Sequence, residues 1–460
     1  MSSLNQVDSD AGEAVFLKLL FSNLNAGNVR YAVMRNGDSL PMSLGGSDLD
    51  ILFDPSERIA VLRHVNEAIR QAGGTAIGCA DTIGFTKVFA FGRSGQSPED
   101  WWGARLDLSF GFLFSGSSEL MAGHVLTTRV DTRNDIPMLS GDLAATIGVI
   151  KEVLHNSSIP SRYVETARQG VLSNWPQLRL DLDPMGQPAL SLLRELCLDE
   201  FSSAEVTSVC AQLRKDVKMA SFRRSPARYM GSRAKFEWSK VRRYLKPPGV
   251  MLAMLGTDGA GKSTIISAVE PVLEAATHGD FTVQHLRPTV LPPLSGFKGQ
   301  PNSPQGPVTD PHGSVPSGKV GSMFRILYLA TDYFWGYWFS VRPKVAKSPG
   351  VYLFDRYAYD MSMDPIRFRI ALPGWVIKSV VRLVPKPDIV FCLVGDPGQI
   401  ADRKRELPLK EVTRQVAMLR EYAEHEPRAV LVSTDDSIDD SRDQVLNALL
   451  EYCVRGKQVV

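Results

Sequence analysis

Apolar positions change their spacing several times along the 460-residue chain. Val15, Leu17, Leu19, Leu20 and Leu24 predict an amphipathic helix, and Tyr31-Ala-Val-Met34 a strand. A Gly/Ser/Pro turn over residues 37–47 leads into an apolar strand, Leu49–Phe53, and a helix over 59–71. Strands follow at 86–91 and 105–108. Beyond about residue 140 the period becomes helical, with Pro160, Pro176 and Pro184 read as breaks. From Val250 the order is apolar strand, glycine loop, helix, strand, which signals a parallel α/β sheet. Further strands are expected at 351–355, 388–394 and 429–432, with a closing helix over 441–453. Residues 288–318, rich in Pro, Gly and Ser, read as a lid, a substrate loop or a disordered insertion. Met323–Val341, interrupted by Arg325 and Asp332, reads as a buried aromatic helix rather than a membrane span.

Composition narrows the classes. Hydrophobic residues make up 44% and charged residues 22%, the balance of a folded chain, and the length calls for two or three domains. Lys and Arg number 52 against 50 Asp and Glu, which excludes a uniformly basic coat protein or an acidic tail protein; no stable nucleic-acid partner is expected. Five scattered cysteines without a C-x-x-C pair suggest neither a zinc site nor a disulfide framework. The polar, acidic Met1–Glu13 lacks the pattern of a signal peptide, so a cytoplasmic location is expected. Residues 214–246 depart from the average: twelve Lys and Arg face Asp216 and Glu237, with Phe222, Tyr229, Phe236, Trp238 and Tyr244 interleaved. This segment reads as an interdomain helical hairpin, with contact to an anionic surface as the alternative. Pro247-Pro248-Gly249 marks a boundary after it.

The strongest chemical signal is Gly256-Thr257-Asp258-Gly259-Ala260-Gly261-Lys262-Ser263-Thr264, between an apolar strand and a helix. Glycines let backbone N–H groups wrap a phosphate, and the helix N-terminus adds positive charge. Lys262 would reach the β- and γ-phosphates of ATP and Ser263 would ligate Mg²⁺. Val351-Tyr-Leu-Phe-Asp355-Arg356-Tyr357 is a buried strand ending in chemistry-bearing residues. Asp388 opens another strand, and Arg403-Lys404-Arg405 closes the helix after it.

Taken together, residues 249–460 resemble the thymidylate kinase family of nucleoside monophosphate kinases. The resemblance rests on Asp258-Gly259, Asp355-Arg356-Tyr357, Pro387-Asp388 and Arg403-Lys404-Arg405. It implies a parallel sheet with helices on both faces, ATP and Mg²⁺ as cofactors, and a phosphate-bearing small molecule, dTMP by default, as acceptor. It also implies that Asp258 faces the acceptor, that Asp355 supports Mg²⁺ or acceptor, and that Arg356 grips the transferring phosphoryl group. Arg403 and Arg405 would close over the phosphates. The sequence departs from the family on the acceptor side. His285-Leu-Arg287-Pro288 replaces a Thr-Arg-Glu-Pro element, and the stretch after Tyr357 lacks the residues that frame thymine. Tyr357, Arg287 and Arg367 are candidate acceptor contacts, the two arginines with structural ion pairing as their alternative.

A second signal lies in Gly45-Gly46-Ser47-Asp48-Leu49-Asp50-Ile51. On a strand, Asp48 and Asp50 share one face while Leu49 and Ile51 enter the core on the other. Asp107, in Arg105-Leu-Asp-Leu108, supplies a third carboxylate, and three such oxygens suit Mg²⁺. Residues 14–135 resemble the nucleotidyltransferase superfamily that includes DNA polymerase beta, although Arg35-Asn36-Gly37 stands where the family has a glycine-serine pair. The expected organisation is a nucleotidyltransferase-like α/β domain (1–135), a helical extension (136–213), a basic linker (214–248) and a thymidylate kinase-like P-loop domain (249–460), in a homo-oligomer. The leading function is ATP-dependent phosphoryl transfer. The alternatives are an Mg²⁺-dependent nucleotidyltransferase with the P-loop domain as nucleotide-binding partner, and a non-enzymatic nucleotide-gated module.

Overall fold

The computed structural model describes residues 10–35, 37–97, 100–199, 201–292, 318–404 and 407–456. The expectation of a lid or substrate loop over 288–318 falls largely outside them. Two compact units divide the chain, one ending at Arg243 and the other beginning at Tyr244.

In the first unit, α1 (Asp10–Ala26) precedes β1 (Tyr31–Val33) and β2 (Leu49–Phe53); α2 (Arg58–Gln71) then leads to β3 (Gly74–Thr82), β4 (Phe85–Arg93) and β5 (Trp101–Phe110). A small hairpin of β6 (Leu113–Phe114) and β7 (Ser118–Glu119) and the short α3 (Val125–Thr128) lead to β8 (Val130–Arg133) and β9 (Ile136–Leu139). The large sheet runs β3-β4-β5-β2-β1-β9-β8. Because β9 pairs with β1 and β8, an end to the α/β domain at residue 135 would cut a hairpin.

Helices α4 (Gly141–Asn156), α5 (Ser161–Asp181), α6 (Gln187–Leu198), α7 (Ser203–Arg224) and α8 (Pro226–Leu245) complete this unit. Pro176 kinks α5 rather than ending it; Asn174, two residues earlier, takes the non-helical backbone that lets the helix resume. The expected division at 213/214 falls inside α7, where Cys210, Leu213 and Val217 are buried and Arg214 donates to the Leu154 carbonyl at 2.8 Å. The alternation read on β2 is real, but both of its faces are covered. Leu49, Ile51 and Phe53 pack with α1 and α2, while Leu52 joins a second core built from α4 to α7. Asp50 lies on the α4 side and is fully buried.

The second unit carries β10 (Val250–Leu255), α9 (Lys262–Thr277), β11 (Phe281–His285), α10 (Lys319–Gly336) and a π-helical turn, Tyr337–Val341. Then come α11 (Arg342–Lys347), β12 (Val351–Asp355), α12 (Asp360–Met363), α13 (Gly374–Val381), β13 (Ile389–Val394), α14 (Pro397–Arg403), α15 (Leu409–His425), β14 (Ala429–Ser433) and α16 (Ile438–Gly456). The five strands pair in parallel in the order β11-β12-β10-β13-β14, with every residue of β10 and β13 buried. Helices α9 and α16 pack together, and α12 packs on both α13 and α15. The result is a parallel sheet flanked by helices, with the carboxyl ends of β10, β11 and β12 on one edge. The segment expected to be a buried aromatic helix is half-exposed instead: Phe324 is 66% and Phe339 67% accessible in this unit. Among the described residues no helix is long and apolar enough to cross a membrane.

Candidate active site

The glycine loop leaves β10 at the centre of the parallel sheet and enters α9 at Lys262. Two of its glycines take left-handed backbone, Gly259 at φ 86° and Gly261 at φ 84°. At Gly259 a Cβ would also come within 2.7 Å of the Ile400 carbonyl, so α14 packs directly on the loop. Lys262 is buried and curls back, donating at 2.8 Å to the carbonyls of both Gly256 and Thr257. Burial, followed by the neighbouring Arg356 guanidinium, pushes its amine down to about 7 against the pull of Asp258, Asp360 and Asp355. Ser263 and Thr264 are exposed in the first turn of α9.

Asp258 is the hub. One of its oxygens accepts from Arg356 Nη2 and the other from Arg367 Nη1 at 2.5 Å. Burial raises this carboxyl, but Arg356, Arg367 and Lys262 outweigh it and hold it at about 2. Arg356 follows β12 with φ 73°, an uncommon backbone for a residue with a side chain, and is 6% exposed. Its Nη1 donates at 2.9 Å to Asp360, four residues on at the start of α12, and the carboxylates around it raise its pKa despite burial. Asp360 is itself buried, which raises its carboxyl although Arg356 opposes the rise. Asp355 accepts from His285 Nδ1 at 3.0 Å, its cross-strand partner in the β11–β12 register. Its other oxygen is buried without a hydrogen-bond partner. Burial raises this carboxyl as well, but His285 and Lys262 bring it down overall.

These residues fit a magnesium-bound nucleotide. Gly261 faces open space at the entry to α9, Ser263 offers an exposed hydroxyl, and Asp355 holds an unsatisfied oxygen near Lys262. The structure thus gathers Asp258, Lys262, Asp355, Arg356 and Arg367. It separates others. Tyr357, expected at the acceptor, is core: 1% exposed, with its hydroxyl donating to the Pro385 carbonyl. Arg287 pairs at 3.0 Å with the fully buried Asp332 of α10. Arg403 is exposed and reaches the Thr434 carbonyl at 3.3 Å, while Arg405 lies outside the described residues. Asp388 is structural, accepting from Met251 N at 2.8 Å and Tyr452 Oη at 3.0 Å. The role of Asp360 was missed: Arg356 precedes α12 with a left-handed backbone, so no helical spacing links the two residues in sequence.

In the first unit, β2 and β5 pair in parallel with Asp50 opposite Asp107, and oxygens of Asp48, Asp50 and Asp107 lie within 4.8 Å of one another. Cations accompany them. Asp50 accepts from Arg35 Nε and, at 2.6 Å, from Lys151 Nζ of α4. Arg35 and Arg105 each stand 3.7 Å from Asp48, and Arg105 Nε is 3.3 Å from Asp107. Burial raises the Asp50 carboxyl, but Lys151 and Arg35 outweigh it and the net shift is downward; at Asp107 burial wins and the shift is upward.

Comparison with protein-family models and with curated proteins yields no match. Among solved structures, 44% of this chain aligns with 99% of the thymidylate kinase of Ehrlichia chaffeensis, at 16% identity and a TM-score of 0.30. Similarly, 43% aligns with 90% of the thymidylate kinase of Candida albicans, at 16% identity and a TM-score of 0.32.

Proposed function

We propose that the chain is an ATP- and Mg²⁺-dependent kinase that transfers a phosphoryl group to a phosphate-bearing small molecule, a nucleoside monophosphate or a phosphorylated sugar, with dTMP the first acceptor to try. The observation that carries this reading is the hub at Asp258, gripped by Arg356 and Arg367 beside Lys262 at the carboxyl edge of the sheet. A glycine loop alone says nucleotide; a loop carboxylate locked to two arginines from beyond β12 adds a prepared anionic acceptor subsite next to it.

In the proposed reaction, Lys262 swings from its carbonyl contacts onto the β- and γ-phosphates. Arg356, fixed by Asp360, meets the charge that spreads over the transferring group. Mg²⁺, held by Ser263 and Asp355, would neutralise phosphate charge when bound. Arg367, still 25% accessible along its side chain, can leave Asp258 for the acceptor phosphate. Arg287 is committed to Asp332, so Arg367 is the stronger acceptor candidate.

The first unit is read as nucleotidyltransferase-like in layout, on the strength of Asp50 and Asp107 across paired strands. Five scattered cysteines without a C-x-x-C pair favour a reducing, cytoplasmic setting. The exposed basic face of α8 supports contact with an anionic surface, and the exposed aromatic side chains of α10 support a homo-oligomer. A coupled ADP-release assay across nucleoside monophosphates and phosphorylated sugars tests the reading. Turnover that requires an acceptor supports it; ATP consumption indifferent to every acceptor would end it.

A further inference from the structure

We propose that Lys151 and Arg35 stand where a divalent cation would otherwise sit, so that the aspartate cluster of the first unit is locked by its own cations and holds no metal. The inference is independent of the kinase reading, since none of its residues belongs to the second unit. Three carboxylates crowded within 4.8 Å need compensating charge, and a hydrated Mg²⁺ is one source. Here the compensation is already built in. Arg35 follows β1, Arg105 lies on β5, Lys151 on α4, and Lys87 on β4 directly opposite Asp107 in the antiparallel register. Against three aspartates these four side chains leave an excess of positive charge, and adding a dication would raise that excess further.

Geometry points the same way. Both oxygens of Asp50 are taken, Oδ1 by Lys151 at 2.6 Å and Oδ2 by Arg35. The Asp50 side chain has no exposed surface by which a hydrated ion could join it. For metal to bind, an ammonium and a guanidinium would have to leave a buried carboxylate and remain nearby, facing a doubly charged ion. The donor set therefore does not fit Mg²⁺ while Lys151 is in place. Lys151 instead ties α4 to β2, fastening the helical layer to the sheet.

The test uses the full-length, nucleotide-free protein and Mn²⁺ alone as probe. Binding is followed by loss of the free-ion electron paramagnetic resonance signal, and melting temperature is recorded in parallel. Wild type should show no Mn²⁺ site sensitive to Asp50→Asn or to Asp48→Asn up to about 1 mM ion. Lys151→Met should open the site, tightening Mn²⁺ binding at least about tenfold and making the melting temperature rise with Mn²⁺. Lys151→Gln serves if Lys151→Met does not fold. Binding at the P-loop does not confuse the result, because it is indifferent to changes at Asp50 and Asp48. A submillimolar wild-type site lost in Asp50→Asn or Asp48→Asn overturns the proposal. So does a folded Lys151 variant that gains no Mn²⁺.

Discussion

Each unit gathers aspartates and cations around a pair of parallel strands, yet the two clusters are built to opposite purposes. In the second unit the lysine rests on backbone carbonyls, Gly256 and Thr257, while the arginines hold a loop carboxylate, and Gly261 faces open space. Carbonyl acceptors are neutral, so an incoming phosphate can outbid them for Lys262. In the first unit the lysine rests on a buried carboxylate, Asp50, and an arginine holds its second oxygen. Removing either cation there uncovers charge in a covered site. Residue types alone do not separate a poised site from a locked one; what the cations lean on does.

The largest expected effect breaks the locked cluster. Asp50→Asn strands Lys151 and Arg35 without their partner and should lower stability by about 3–5 kcal/mol, read from denaturant midpoints. A loss under about 1 kcal/mol would mean that the cations have somewhere else to go. On the poised side, Arg367→Ala should raise the acceptor KM by about 10- to 100-fold while leaving the KM for ATP near its original value. If both constants move together, Arg367 is serving the loop rather than the acceptor.

The poised lysine also makes a pH prediction. Its amine titrates near 7 in the folded protein against an ordinary 10.5. Between those values the unfolded chain binds the extra proton, so this residue's contribution to stability improves as pH rises through that window. ATP has the reverse dependence, because it needs the charged amine. Binding should take up close to one proton at pH 8 and little at pH 6, with affinity falling by at most about tenfold per pH unit above 7. Titration calorimetry in buffers of different ionisation enthalpy measures the uptake, and Lys262→Met should abolish it. The smallest effect concerns Tyr357. Tyr357→Phe loses the hydrogen bond to the Pro385 carbonyl and should cost about 1 kcal/mol of stability with no change in acceptor KM.

Much of the layout was legible because it is local. Leu49–Phe53 and the strand entering the glycine loop are apolar runs bounded by turn residues, and both form as expected. Strand β3 was missed because Gly74–Thr82 is largely buried along its length and mixes glycine and alanine with polar residues, giving no period to detect. Strands β8 and β9 are only four residues each and sit among turn-formers, so their pairing, not their composition, defines them. At the candidate sites, the motifs supplied Lys262 and Asp355-Arg356, whereas the partnerships did not follow from sequence. Arg367 meets Asp258 across 109 residues, and Lys151 meets Asp50 across 101. The Asp355-Arg356-Tyr357 motif suggests Tyr357 as an acceptor contact, but Tyr357 follows the positive φ of Arg356 and lies in the core.

The claim that phosphoryl transfer belongs to the second unit is tested most directly by acceptor-dependent ADP release in two variants of the full chain. Lys262→Ala should reduce it by about 10³-fold. Asp48→Asn, at the partly exposed edge of the locked cluster, should leave it within about twofold of wild type. Turnover that survives Lys262→Ala but disappears in Asp48→Asn would place the chemistry in the first unit and contradict the account.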